Sequence, residues 1–76
     1  MGNKLKAYQF WYKASEDATT EYIYIVAFTL NQACYYFNYY GYTRMYDYET
    51  RPIDVIELSD LVKYNCGAVL GQYAVL

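Results

Sequence analysis

21-EYIYIVAFTLNQACYYFNYYG-41 holds the two signals that decide the fold. Its first eight residues alternate, with β-branched and aromatic side chains on both faces. Ile23, Ile25 and Ala27 share one face of a strand, and Tyr22, Tyr24, Val26 and Phe28 share the other. The period then changes. Thr29 is a good N-cap with Gln32 three residues on, the spacing of a capping box. Leu30, Ala33, Phe37 and Tyr40 follow helical spacing with Cys34 beside them, and Gly41 is a natural C′ residue able to take φ > 0. The spacing predicts a helix over about 30–40.

Working outward, 4-KLKAYQFWYK-13 is aromatic-rich and suits a pleated surface. The small polar run 14-ASEDATT-20 is a turn signal, so residues 4–13 and 21–28 form an antiparallel hairpin. After Gly41, 42-YTRMYDYET-50 reads as a third strand. Pro52 marks a strand start, an edge or a bulge, because it has no N–H for a ladder. Residues 52–58, PIDVIEL, are a fourth strand or a continuation of the third. Ser59 is placed to cap a short turn over 59–65. The segment 68-AVLGQYAVL-76 fits a short helix or a closing strand. The fold class is α+β in one domain, 1–76: a small antiparallel sheet of three to four strands, order ββαβ(β), with one main helix on one face.

The chemistry of the chain is limited. Apolar residues make up 57% and charged residues 18%, the balance of a folded chain. There is no apolar run long enough for a spanning helix, so no membrane role is expected. Residues 1–10 lack the apolar core of a signal peptide, and Lys6 stands where myristoylation wants Ser or Thr; a cytoplasmic location is expected. The net charge of −2 does not suit direct nucleic-acid binding. Cys34 and Cys66 read as reduced, mostly buried thiols. Histidine is absent. Ser15 and Ser59 sit in no nucleophile elbow, the cysteines form no CxxC pair, and Gly67 and Gly71 form no phosphate loop. No catalysis, metal or cofactor is expected.

What remains is surface. One helix covers one face of a sheet. The face with Tyr22, Tyr24, Val26 and Phe28 therefore needs the C-terminal segment, a second copy in a homodimer, or a partner. A core of this size supplies only about 3–5 kcal/mol, which makes oligomerisation a live route. With Leu30 at the centre of the helix's buried stripe, Tyr35 and Tyr39 face solvent one turn apart. Tyrosine offers large contact area at low rotamer cost. Asp47 and Glu49 share a strand face, and Asp54 and Glu57 follow. With Tyr46 and Tyr48, these residues mark a partner-binding surface: aromatic anchors beside carboxylates that imitate phosphates toward Lys and Arg.

The junction 25-IVAFTLNQACYYF-37, with Ile25, Val26, Thr29 and Ala33, resembles the strand-to-helix junction of small phage-encoded and mobile-element proteins. The resemblance covers about residues 5–58. It implies a small α+β fold and a place among inhibitors of host nucleases and defence systems, anti-CRISPR proteins included. The implied partner is a host protein such as a nuclease or CRISPR effector, met in the host cytoplasm. It carries over no functional residue.

Overall fold

The alternating segments pair as expected. β1 (Lys6–Lys13) and β2 (Glu21–Ala27) run antiparallel, with Tyr8 opposite Ile25 and Phe10 opposite Ile23. A computed structural model describes residues 4–58 and 64–71. The Ser59 cap and the end of the last segment, 72–76, lie outside the described residues.

The outer side of β1 carries two short strands end to end, β3 (Asp47–Tyr48) and β4 (Asp54–Glu57). Tyr12 faces Tyr48 and Gln9 faces Asp54, so three steps along β1 are matched by six on its partner. The three extra residues loop out around Thr50–Pro52, where Pro52 removes a ladder donor. Ile53 then re-enters, its N–H donating to Gln9 O at 2.8 Å. Opposite charges face each other across this ladder, Lys13 with Asp47 and Lys6 with Glu57, which favours the observed register. β5 (Val69–Gly71) pairs antiparallel with the other side of β2. The last segment thus closes the sheet as a strand, in the order β3/β4–β1–β2–β5.

The third strand is much shorter than 42–50. Gly41, at φ 91°, turns the chain into a 3₁₀ turn over Tyr42–Arg44. Arg44 N–H donates to Gly41 O and Met45 N–H to Tyr42 O, and these bonds hold the backbone out of the ladder until Asp47.

The helix α1 (Leu30–Tyr39) starts at the expected cap. Thr29 is extended, and its Oγ1 accepts the Gln32 N–H at 3.2 Å. Gln32 reaches back one residue further than a standard box: its Oε1 accepts the Phe28 N–H at 2.9 Å. The centre of the buried stripe is Ala33 and Phe37 rather than Leu30, which is 51% exposed. The reason is lateral. Leu30 stands at the flank of the helix, lining an open groove with Thr50, Arg51, Pro52 and Val55.

Two apolar layers result. On the helix side, the Phe37 ring stacks on Phe10 at 4.4 Å and on Tyr42 at 5.3 Å, with Ile23, Ile25, Ala27 and Tyr8 around them. On the opposite side, Ala7, Tyr24, Val26 and Leu58 are buried, with Ile56, Tyr64, Ala68 and Leu70 packed against them. The homodimer face proposed from sequence is therefore corrected. Tyr24 is 6% exposed and Val26 is 0% exposed within a single chain, Phe28 is half-buried, and only Tyr22 stays open. The chain's own later segment covers that face. It is laced down by Val26 N–H to Ala68 O (2.9 Å) and Gly67 N–H to Val26 O (2.7 Å).

Candidate functional site

Four tyrosines of α1 form a two-by-two array. Helical geometry places residues four apart above one another. Tyr35 stacks on Tyr39 with ring centres 5.8 Å apart, and Tyr36 stacks on Tyr40 at the same distance. The columns meet edge to face, Tyr35 with Tyr36 at 5.5 Å and Tyr39 with Tyr40 at 5.6 Å.

The inner column is tied to the sheet. Tyr40 Oη donates to Gly67 O at 2.6 Å. Gly67 has φ 90°, and both inner rings press so close that a Cβ there would meet Tyr40 Oη at 3.0 Å and Tyr36 Cε1 at 3.1 Å. Cys66 Sγ lies 3.4 Å from Gln32 Oε1 and 3.8 Å from Tyr36 Oη. The hydrogen bond with Cys66, then the charge that thiol would carry, raise the Tyr36 phenol above its ordinary value. The same cap residue, Gln32, thus serves the helix start and the turn at 66–67.

The outer column is open. Tyr35 is 60% and Tyr39 68% exposed. α1 carries no charged residue at all, and its exposed residues are Leu30, Asn31, Tyr35, Asn38 and Tyr39. A surface helix ordinarily shows charges there. The open rings stack against an inner column in which Tyr36 is half-buried and Tyr40 is hydrogen-bonded to Gly67 O yet 43% exposed.

The acids lie elsewhere. Asp47, Glu49, Asp54 and Glu57 are exposed along the β3–β4 row at the β1 edge. The flank of α1 toward that row holds Leu30 and Cys34. With Thr50, Arg51, Pro52 and Val55 they line an open groove of about 580 Å³. Cys34 Sγ lies 3.6 Å from Thr50 O, and burial pushes its thiol up. Tyr35 and Tyr39 lean on Tyr36 and Tyr40, which face the other flank, toward Gly67. The structure therefore brings Tyr35 and Tyr39 together but strings the four carboxylates along the sheet edge, from Asp47 opposite Lys13 to Glu57 opposite Lys6 at the two ends of β1. Tyr46 is exposed, next to Asp47 in the chain. Tyr48 turns inward, its ring 6.2 Å from Phe37, and serves the core.

Sequence reasoning missed Tyr36, Tyr40 and Gly67 as the support of the array. The i, i+4 spacing of Tyr36 and Tyr40 was a usable signal; nothing local marked Gly67 as their contact. Among the described residues, no His, Cys, Asp or Glu group is placed to hold a metal, and no helix is long and apolar enough to cross a membrane. No protein-family model, curated protein or solved structure matches this chain.

Proposed function

We propose that this chain acts by binding rather than by chemistry: a phage or mobile-element inhibitor that engages a host defence or nucleic-acid-handling protein. Its primary contact is the Tyr35–Tyr39 face. The observation that supports this reading is a stacked, uncharged pair of open rings on the one helix of the described fold. Aromatic anchors of this kind dominate interface energetics when their pockets exclude water, and tyrosine orders at low rotamer cost. Asp47, Glu49, Asp54 and Glu57 add negative potential along the sheet edge, away from the helix array. That potential steers a basic partner without sharing the central contact.

The test is quantitative capture of host protein by the immobilised chain and by a Tyr35→Ala/Tyr39→Ala variant of equal helicity. Loss of two anchors worth about 2 kcal/mol each, about 4 kcal/mol together, predicts retention weaker by roughly several hundredfold. Equal retention by wild type and variant refutes the tyrosine face. Retention that survives rising salt keeps the aromatic contact and removes the steering role of the acids.

A further inference from the structure

The acids of the sheet edge have a local role that goes beyond partner steering. β3 and β4 form an edge with no pairing strand on their outer side among the described residues. Such edges present unpaired N–H groups to any strand that drifts near. Glu49 N–H donates inward to Trp11 O and Leu58 N–H inward to Leu5 O. Antiparallel alternation therefore sends the N–H groups of Tyr48, Val55 and Glu57 outward.

The first two are already taken, and no side chain caps the third among the described residues. Tyr48 N–H donates to Asp47 Oδ1 and Val55 N–H to Asp54 Oδ1, each at 2.9 Å. Thr50 N–H, where the bulge begins, donates to Glu49 Oε1 at 2.9 Å. In each case an acid at position i caps the amide at i+1. An incoming strand would have to displace a charge-assisted acceptor and set its own carbonyl beside a carboxylate. Ile53 and Val55 are exposed next to these amides, so an uncapped edge here would be apolar as well as hydrogen-bond-hungry.

We propose that Asp47, Glu49 and Asp54 are edge caps that hold the β3–β4 edge closed against strand addition by a second copy of this chain. The second copy is the fitting occupant because antiparallel β4–β4 pairing is two-fold symmetric. It would set the exposed Val55 of one copy near that of the other.

The test compares Asp47→Ala/Glu49→Ala/Asp54→Ala with Asp47→Asn/Glu49→Gln/Asp54→Asn by sedimentation velocity over a rising micromolar range. Both sets raise the net charge from −2 to +1, so charge is matched. The amide set keeps a side-chain oxygen to accept the outward N–H; the alanine set does not. The alanine set is expected to self-associate with concentration while wild type and the amide set stay monomeric. The proposal is overturned if the alanine set stays monomeric, or if wild type or the amide set associates equally well. Should the alanine set fail to fold, amide exchange on Asp54→Ala alone decides. Val55 N–H is expected to exchange about five- to tenfold faster, with Asp54→Asn near wild type, and unchanged exchange overturns the proposal.

Discussion

Replacing Gly67 by alanine probes the support beneath the tyrosine array. Two costs add. First, φ at 90° is left-handed, which charges a residue with a Cβ about 1–2 kcal/mol. Second, the new methyl would stand 3.0 Å from Tyr40 Oη and 3.1 Å from Tyr36 Cε1 and Cζ. Tyr40 is 43% exposed, so its ring can retreat, but only by giving up its hold on the turn. Tyr40 is tied to Gly67 O at 2.6 Å, and Tyr36 stacks on Tyr40. Relief breaks that hydrogen bond, worth about 0.5–1.5 kcal/mol. The sum is about 1.5–3.5 kcal/mol, a large share of the ~3–5 kcal/mol a core of this size supplies. Gly41→Ala is the matched control. Gly41 has nearly the same φ, 91°, but nothing lies within 4 Å of its virtual Cβ. It should cost only the conformational part, about 1–2 kcal/mol. Urea unfolding followed by circular dichroism, with slopes compared, measures both. A Gly67→Ala variant no more destabilised than Gly41→Ala would refute the idea that the 66–67 turn clamps the inner tyrosines.

Three further outcomes are expected. Phe37→Ala removes the ring stacked between Phe10 and Tyr42 and costs about 3–5 kcal/mol, so circular dichroism should show a largely unfolded chain at room temperature. Thr29→Ala removes the acceptor of the Gln32 N–H and costs about 1 kcal/mol in denaturation, while Thr29→Ser should recover most of it. Stability should fall at alkaline pH. Burial, helped by the neighbouring Cys34, raises Tyr8; burial, then Tyr12 and Tyr40, raises Tyr42; burial raises Cys34. The unfolded chain releases these protons first, thiol near pH 9 and phenols near pH 10, and so binds fewer protons than the folded chain in that window. The contribution is complete below those values and is lost as pH climbs through the raised folded ones. Urea midpoints across that range check it, and a flat profile would contradict it.

Local signals carried the hairpin, the Thr29 start and the Gly41 stop, because each depends on residues within a few positions of one another. Leu30 misled because periodicity gives the angle between helix residues but not which of them the sheet covers. The 42–50 strand was overread because its aromatic content outweighed the 3₁₀ turn that a left-handed Gly41 begins. The covering of Tyr24 and Val26 was one of three options at the sequence level. It depends on Leu58, Ala68 and Leu70 arriving from some thirty to forty-five residues away, and no short-range pattern encodes that. The parting of Tyr35 and Tyr39 from the carboxylates has the same origin. Which flank of α1 faces β4 is set by packing, after each residue's own face is already known.

Residue-resolved nitration of tyrosine, read by mass spectrometry on the free chain and on the chain loaded with its captured partner, bears on the whole account at once. Tyr35, Tyr39 and Tyr46 should react fast in the free chain and Tyr8 and Tyr24 slowly, and partner loading should protect Tyr35 and Tyr39. Fast nitration of Tyr24 in the free chain, or unprotected Tyr35 and Tyr39 in the complex, would contradict it.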